Sequence, residues 1–111
     1  MNNVQIAIED KDYRERLFAL LSDGKHRVYH VEIPKMSMDG VVVLDDTSFD
    51  KLGDSSLDGE RCVMITRKRP PDFARLWTTG IRHILSSADP PSVAQLAVLA
   101  AELHVSEYMY G

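Results

Sequence analysis

Three short apolar runs set the terms on which this chain can fold. Val4-Gln5-Ile6-Ala7-Ile8, Val41-Val42-Val43-Leu44 and Cys62-Val63-Met64-Ile65 are rich in β-branched residues and almost free of polar ones. A strand that is apolar on both faces has to be covered on both faces, which places it inside a parallel sheet with helices above and below. Each run ends in an acid or a hydroxyl: Glu9-Asp10 after the first, Asp45-Asp46 after the second and Thr66 after the third.

The segments between and after these runs read as the rest of such a fold. Lys11 to Ser22 reads as a helix, with Tyr13, Leu17, Leu20 and Leu21 at helical spacing, Asp10 as its N-cap and Gly24 as its stop. His26 to Ile33 alternates and reads as a half-exposed strand at a sheet edge, ended by Pro34. Pro34 to Gly40 is too short for a helix. The polar stretch from Thr47 to Glu60 has room for one helical turn around Phe49 to Leu52. Pro70-Pro71 starts a helix that runs to about Thr79, and Gly80 stops it. Ile81 to Leu85 is a fifth strand. Pro90-Pro91-Ser92 opens a last helix, in which Val93, Leu96, Ala97, Ala100 and Leu103 are expected to face the core. Val105 to Gly111 shows no period. The expected domain is a single one over residues 1–111, with its core at about 4–104 and a tail at 105–111.

Composition narrows the function classes. A chain of 111 residues with 44% hydrophobic and 27% charged residues is ordinary globular material. Its net charge of −4 argues against direct nucleic-acid binding, which calls for a basic stripe. The cluster Arg67-Lys68-Arg69 reads as a solvated loop. Cys62 is the only cysteine, so there is no internal disulfide, and its apolar setting reads as core. His26, His30, His83 and His104 show no metal-ligand spacing. Trp77 reads as an anchor in the core or, on the outside, an interaction contact, and Tyr108 and Tyr110 lie in the tail. The N-terminus lacks a signal-peptide pattern and no apolar run approaches membrane-spanning length, so the expectation is a cytoplasmic protein with no membrane partner.

Open parallel sheets bind ligands beyond the carboxyl ends of their strands. That rule selects Glu9, Asp10, Asp45, Asp46, Thr66, Ser86 and Ser87. If the first and third strands are neighbours, Glu9, Asp10 and Asp45 converge, and a hard cation such as Mg²⁺ would relieve their mutual repulsion. A carboxylate beside Mg²⁺ can attack phosphorus, with the Thr66 hydroxyl on a phosphoryl oxygen. The bland alternative is that these acids cap the helices that follow them.

At these residues the chain resembles a response-regulator receiver domain. Ile6-Ala7-Ile8-Glu9-Asp10 resembles its first strand and acidic pair. Val41 to Asp45 resembles the strand that carries the phospho-acceptor. Val63-Met64-Ile65-Thr66 resembles the strand with the switch hydroxyl, and Gly80 to Leu85 resembles the fifth strand. The resemblance implies a flavodoxin-like, CheY-like doubly wound sheet of order 2-1-3-4-5 with helices on both faces, the second and third helices short or missing. It implies Asp45 as acceptor, Thr66 as switch hydroxyl, and Mg²⁺ held by Glu9, Asp10, Asp45 and the carbonyl of Thr47. It further implies two-component phosphorelay signalling, no enzyme activity of its own, a histidine kinase or other signalling protein as partner, and a homodimer paired through the last two helices.

The departures from the family pattern fall on the switch. Ser87 stands where the family has a lysine, which removes a charge-assisted hydrogen bond to a phosphoryl group. Arg67 replaces a small residue after the hydroxyl, either as a substitute cation or as a plug. Ile84 replaces the aromatic switch residue. Together these suit an atypical receiver that works as a protein-interaction module. The alternatives are a receiver that is phosphorylated on Asp45 with Mg²⁺, and a small flavodoxin-like domain that binds a nucleotide or phosphate. The last lacks a glycine-rich loop after the first strand.

Overall fold

The apolar runs do pair into one sheet. The computed structural model describes residues 2–53 and 57–110, with side chains as far as Leu103. Its strands are β1 (Asn2–Ala7), β2 (His26–His30), β3 (Val41–Asp45), β4 (Cys62–Thr66) and β5 (His83–Ser86). All neighbours run parallel in the order β2-β1-β3-β4-β5, the flavodoxin-like arrangement. The helices are α1 (Lys11–Leu21), α2 (Asp46–Leu52), α3 (Phe73–Thr78) and α4 (Pro91–Tyr110).

Alternation along the strands splits the apolar side chains between two cores. Val4, Ile6, Val43, Val63 and Ile65 meet Leu17 and Leu21 of α1 and Ala94, Val98 and Ala101 of α4. Val42, Leu44, Cys62 and Met64 point the other way, onto Phe49 of α2 and Leu76 of α3. Burial pushes the Cys62 thiol up to about 12, with Arg61 opposing the shift and Asp58 adding to it. A thiol so held is neutral at physiological pH and is a core residue, not a nucleophile.

No helix joins β2 to β3; residues 31–40 cross as a strap. Two buried polar side chains hold the strap down. The Gln5 amide donates to the Lys35 carbonyl and accepts the Lys35 N–H, both at 2.8 Å, so it imitates a pair of ladder bonds. The Arg61 guanidinium donates to the carbonyls of Met36, Met38 and Gly40, and its Nε lies 3.2 Å from Asp58 Oδ2. Gly40 takes φ 109°, and a Cβ there would sit 2.1 Å from the Asn3 carbonyl oxygen. Only glycine fits where the strap turns into β3.

The last helix differs from expectation in extent and in facing. It continues through 105–110, which showed no period; the side chains of His104, Tyr108 and Tyr110 lie outside the described residues. The residues against the sheet are Ala94, Val98 and Ala101, with Ala97 beside them, whereas Leu96 and Leu103 are 66% and 67% exposed. Ala100 is exposed too, and Leu99 half so. The helix is apolar on both sides, so its period does not reveal which side turns inward. Close approach to the sheet decides in favour of the small residues. Smaller differences follow local bonding. β2 stops at His30, with one further bond from Val31 N–H to the Ile6 carbonyl. α3 starts at Phe73 because Asp72, not the prolines, caps it by accepting the Arg75 N–H.

This facing has a measurable consequence. Leu96→Ala should change stability by under about 1 kcal/mol, since surface substitutions away from special features do little. Ala101→Leu should cost about 1–3 kcal/mol by overpacking the sheet contact. Urea denaturation of the two variants checks the order; a larger loss in Leu96→Ala would reverse the facing.

Candidate functional site

The carboxyl ends of β1, β3 and β4 bring the expected residues together, but not as one cluster. Asp45 is the last residue of β3 and the N-cap of α2. Its Oδ1 accepts the Ser48 N–H at 2.9 Å and lies 3.1 Å from the Ser48 hydroxyl oxygen. Its Oδ2 accepts the Glu9 N–H at 2.8 Å. Ser48 returns the cap by accepting the Asp45 N–H at 3.1 Å, and its oxygen is 2.8 Å from the Ala7 carbonyl, to which it can donate. Asp45 and Ser48 thus form a capping box that also ties α2 to the end of β1. Ser48 was not singled out from sequence, although Asp45 and Ser48 stand at capping-box spacing.

Asp45 divides the acidic corner in two. On one side Glu9 and Thr47 line a cleft of about 340 Å³, together with Arg14, His30, Glu32 and Lys51. This cleft opens where no helix follows β2. Arg14 Nη1 donates to the Ile8 carbonyl at 3.1 Å and reaches the Glu9 carbonyl at 3.5 Å, so it braces the β1–α1 loop. Lys51 Nζ donates to Glu32 Oε1 at 2.8 Å. That pairing raises the Lys51 pKa and lowers that of Glu32, through the hydrogen bond first and the opposite charge second. On the other side Asp10, Arg67 and Ser87 share with Asp45 a recess of about 30 Å³, room for about two waters. Asp10 caps α1 by accepting the Tyr13 N–H at 3.1 Å. Tyr13 borders the same recess; its phenol is pushed up to about 12 by burial and then by the charge of Asp89.

Thr66 is drawn to a third place. Its hydroxyl donates to Asp46 Oδ1 at 2.8 Å, and Asp46 Oδ2 accepts the Arg67 N–H at 2.9 Å. The hydroxyl oxygen also accepts the Lys68 N–H at 3.2 Å. Thr66 is 1% exposed and turns toward Asp46. Ser87 joins the end of β4 through its backbone, donating its N–H to the Thr66 carbonyl at 2.9 Å. Ser86 accepts the Ala88 N–H on its hydroxyl.

Asp45 therefore stands between Glu9, with which it lines the cleft, and Asp10, with which it lines the recess. Among the described residues no three His, Cys, Asp or Glu side chains gather closely enough to hold a metal ion. Mg²⁺ requires a near-octahedral set of oxygens at about 2.0–2.1 Å. In this arrangement Asp45 accepts N–H groups on both oxygens, from Ser48 and Glu9, and Asp10 accepts one from Tyr13. The bland reading of the acids as caps describes Asp10 and Asp45.

No known protein-family model matches the chain, and no characterised protein matches it significantly in sequence. Among the described residues no helix is long and apolar enough to cross a membrane.

Asp45→Ala removes the cap of α2 and the acceptor of the Glu9 N–H together. The expected loss is about 1–2 kcal/mol, the upper range for a single cap. Asp45→Asn keeps a carbonyl acceptor for the cap and should lose clearly less. Thermal denaturation of both variants reads the difference; equal stability of wild type and Asp45→Ala would show that the carboxylate does not hold α2.

Proposed function

We propose that this chain is an atypical receiver-like signalling module of two-component phosphorelay signalling, acting through protein–protein contact with an impaired phosphorylation switch. One observation carries the reading: both oxygens of Asp45, at the phospho-acceptor position, are engaged in holding α2 and the β1–α1 loop. The surroundings agree with it. Thr66, at the switch-hydroxyl position, is committed to Asp46, and Ser87 offers no cation at the lysine position. The scaffold meanwhile keeps the strand order that receiver domains share with other flavodoxin-like folds.

A contact role also suits the surface. Leu96, Leu99 and Leu103 form an exposed line along α4, and among residues 91–103 the only charged side chain is Glu102. Trp77, 61% exposed, stacks on Phe73 at 5.1 Å between ring centroids on α3. Exposed leucines and aromatics of this kind favour apolar docking, with a histidine kinase, another signalling protein or a second copy as partner. In the competing reading Asp45 is phosphorylated with Mg²⁺, in competition with the N–H groups of Ser48 and Glu9.

Amide NMR spectra with Mg²⁺ and beryllofluoride separate the two. The expected result is no saturable shift at Asp45, Thr66 or their neighbours. Shifts there that vanish in Asp45→Asn would overturn the reading and establish a phosphorylatable receiver.

A further inference from the structure

The opposite end of the sheet holds a group that the proposed function does not use. His26 opens β2, and its side chain is only 3% exposed. Its Nδ1 lies 3.0 Å from Asp23 Oδ1, in the turn after α1. Its Nε2 lies 2.6 Å from Glu102 Oε1, on α4. From β1, Asn2 Nδ2 donates to the other Glu102 oxygen at 3.3 Å. The backbone N–H of Lys25 donates to Asp23 Oδ1 at 2.9 Å. Among the described residues no cationic side chain is hydrogen-bonded or ion-paired to Asp23 or Glu102 apart from His26 itself.

A neutral imidazole has one N–H, an imidazolium two. Between two carboxylates a neutral ring leaves one nitrogen lone pair facing a carboxylate oxygen, which is repulsive in a buried setting. The imidazolium satisfies both. The geometry alone therefore favours the charged ring.

We propose that His26 is a protonation-dependent latch that seats the second half of α4 against the β1–β2 edge of the sheet. Glu102 is the last described side chain of α4 that is hydrogen-bonded to the rest of the domain, and the helix runs on to Tyr110. Gln95, which donates to the Leu20 carbonyl at 3.2 Å, holds the first half independently. Loss of the proton to solvent weakens the Glu102 tie and leaves the Gln95 tie in place. Leu99 and Leu103 lie on the half that is released.

The sign of the pH dependence follows. His26 has its pKa raised above 6.5: burial opposes the charge, but the hydrogen bonds and charges of Asp23 and Glu102 outweigh it. Stabilisation by a group of raised pKa is fully present below its unfolded value and is lost as the pH rises through the folded one. Asp23 has its pKa lowered, first by the Lys25 N–H and then by His26, so its share is lost only in acid. The latch is closed between these limits and opens on the alkaline side.

The test is a pH titration of the whole chain by histidine ring NMR, run beside amide hydrogen exchange expressed as protection factors. The His26 midpoint should lie above 6.5 and fall in Glu102→Gln and in Asp23→Asn. Protection of residues 98–103 should drop through the same midpoint, by roughly tenfold for each pH unit that the midpoint exceeds 6.5. Protection of β3, which reports global opening, should fall by no more than the same factor, and in Glu102→Gln the drop at 98–103 should shrink. A midpoint at or below 6.5, or α4 protection that stays constant through it, overturns the latch. The outcome is independent of whether Asp45 accepts beryllofluoride.

Discussion

The Asp45 carboxylate is the contact on which the upper end of the molecule depends. Three elements meet at it: β3 supplies the residue, α2 is capped by it, and the β1–α1 loop hangs from it by the Glu9 N–H. Ser48 completes the arrangement by linking the same corner to the Ala7 carbonyl. A short helix such as α2 has little stability of its own, since nucleation is costly and few internal bonds repay it. Its position is set by this corner and by Phe49 in the core beneath. The cleft on one side and the small recess on the other are consequences of where Asp45 stands.

The same economy of elements is visible on the β1–β2 side. Where a doubly wound fold would place a helix, a strap runs instead, and buried side chains take over the polar matching that a helix backbone would do for itself. Buried polar groups carry a large penalty unless paired. Gln5 and Arg61 are nearly inaccessible and are both bonded to strap carbonyls. Their role is to satisfy a non-helical backbone over one face of the sheet.

The fold was largely legible in the sequence because its strands are apolar on both faces. The runs at Val4, Val41 and Cys62 admit few arrangements other than a covered parallel sheet, and short links fix the neighbours. The site was legible only as a list of residues. Strand-end geometry selected Asp10, Asp45, Thr66 and Ser87, but which oxygen bonds which N–H is decided by loop paths that no pattern records. Arg14 was missed because its partners are main-chain carbonyls, and Ser48 because its capping-box spacing from Asp45 went unread. Gln5 and Arg61 carry no pattern that marks them as strap partners, because the carbonyls they bind are placed by the path of residues 31–40. The facing of α4 was misread for a different reason: leucine outside and alanine inside inverts the usual correlation of size with burial, and only the closeness of helix to sheet explains it.

The strap carries a further consequence for the order in which the molecule comes apart. Its described anchors come from the sheet and its margin and from Lys51 of α2, which pairs with Glu32, and it contributes Met36 to the second core. Segments with few buried apolar contacts open at lower free energy than the elements they lie on. Residues 31–40 are therefore expected to open at lower free energy than β1, β3 and β4. Such local opening would widen the cleft beside Glu9 and Lys51, because Val31 and Glu32 of the strap form part of its wall.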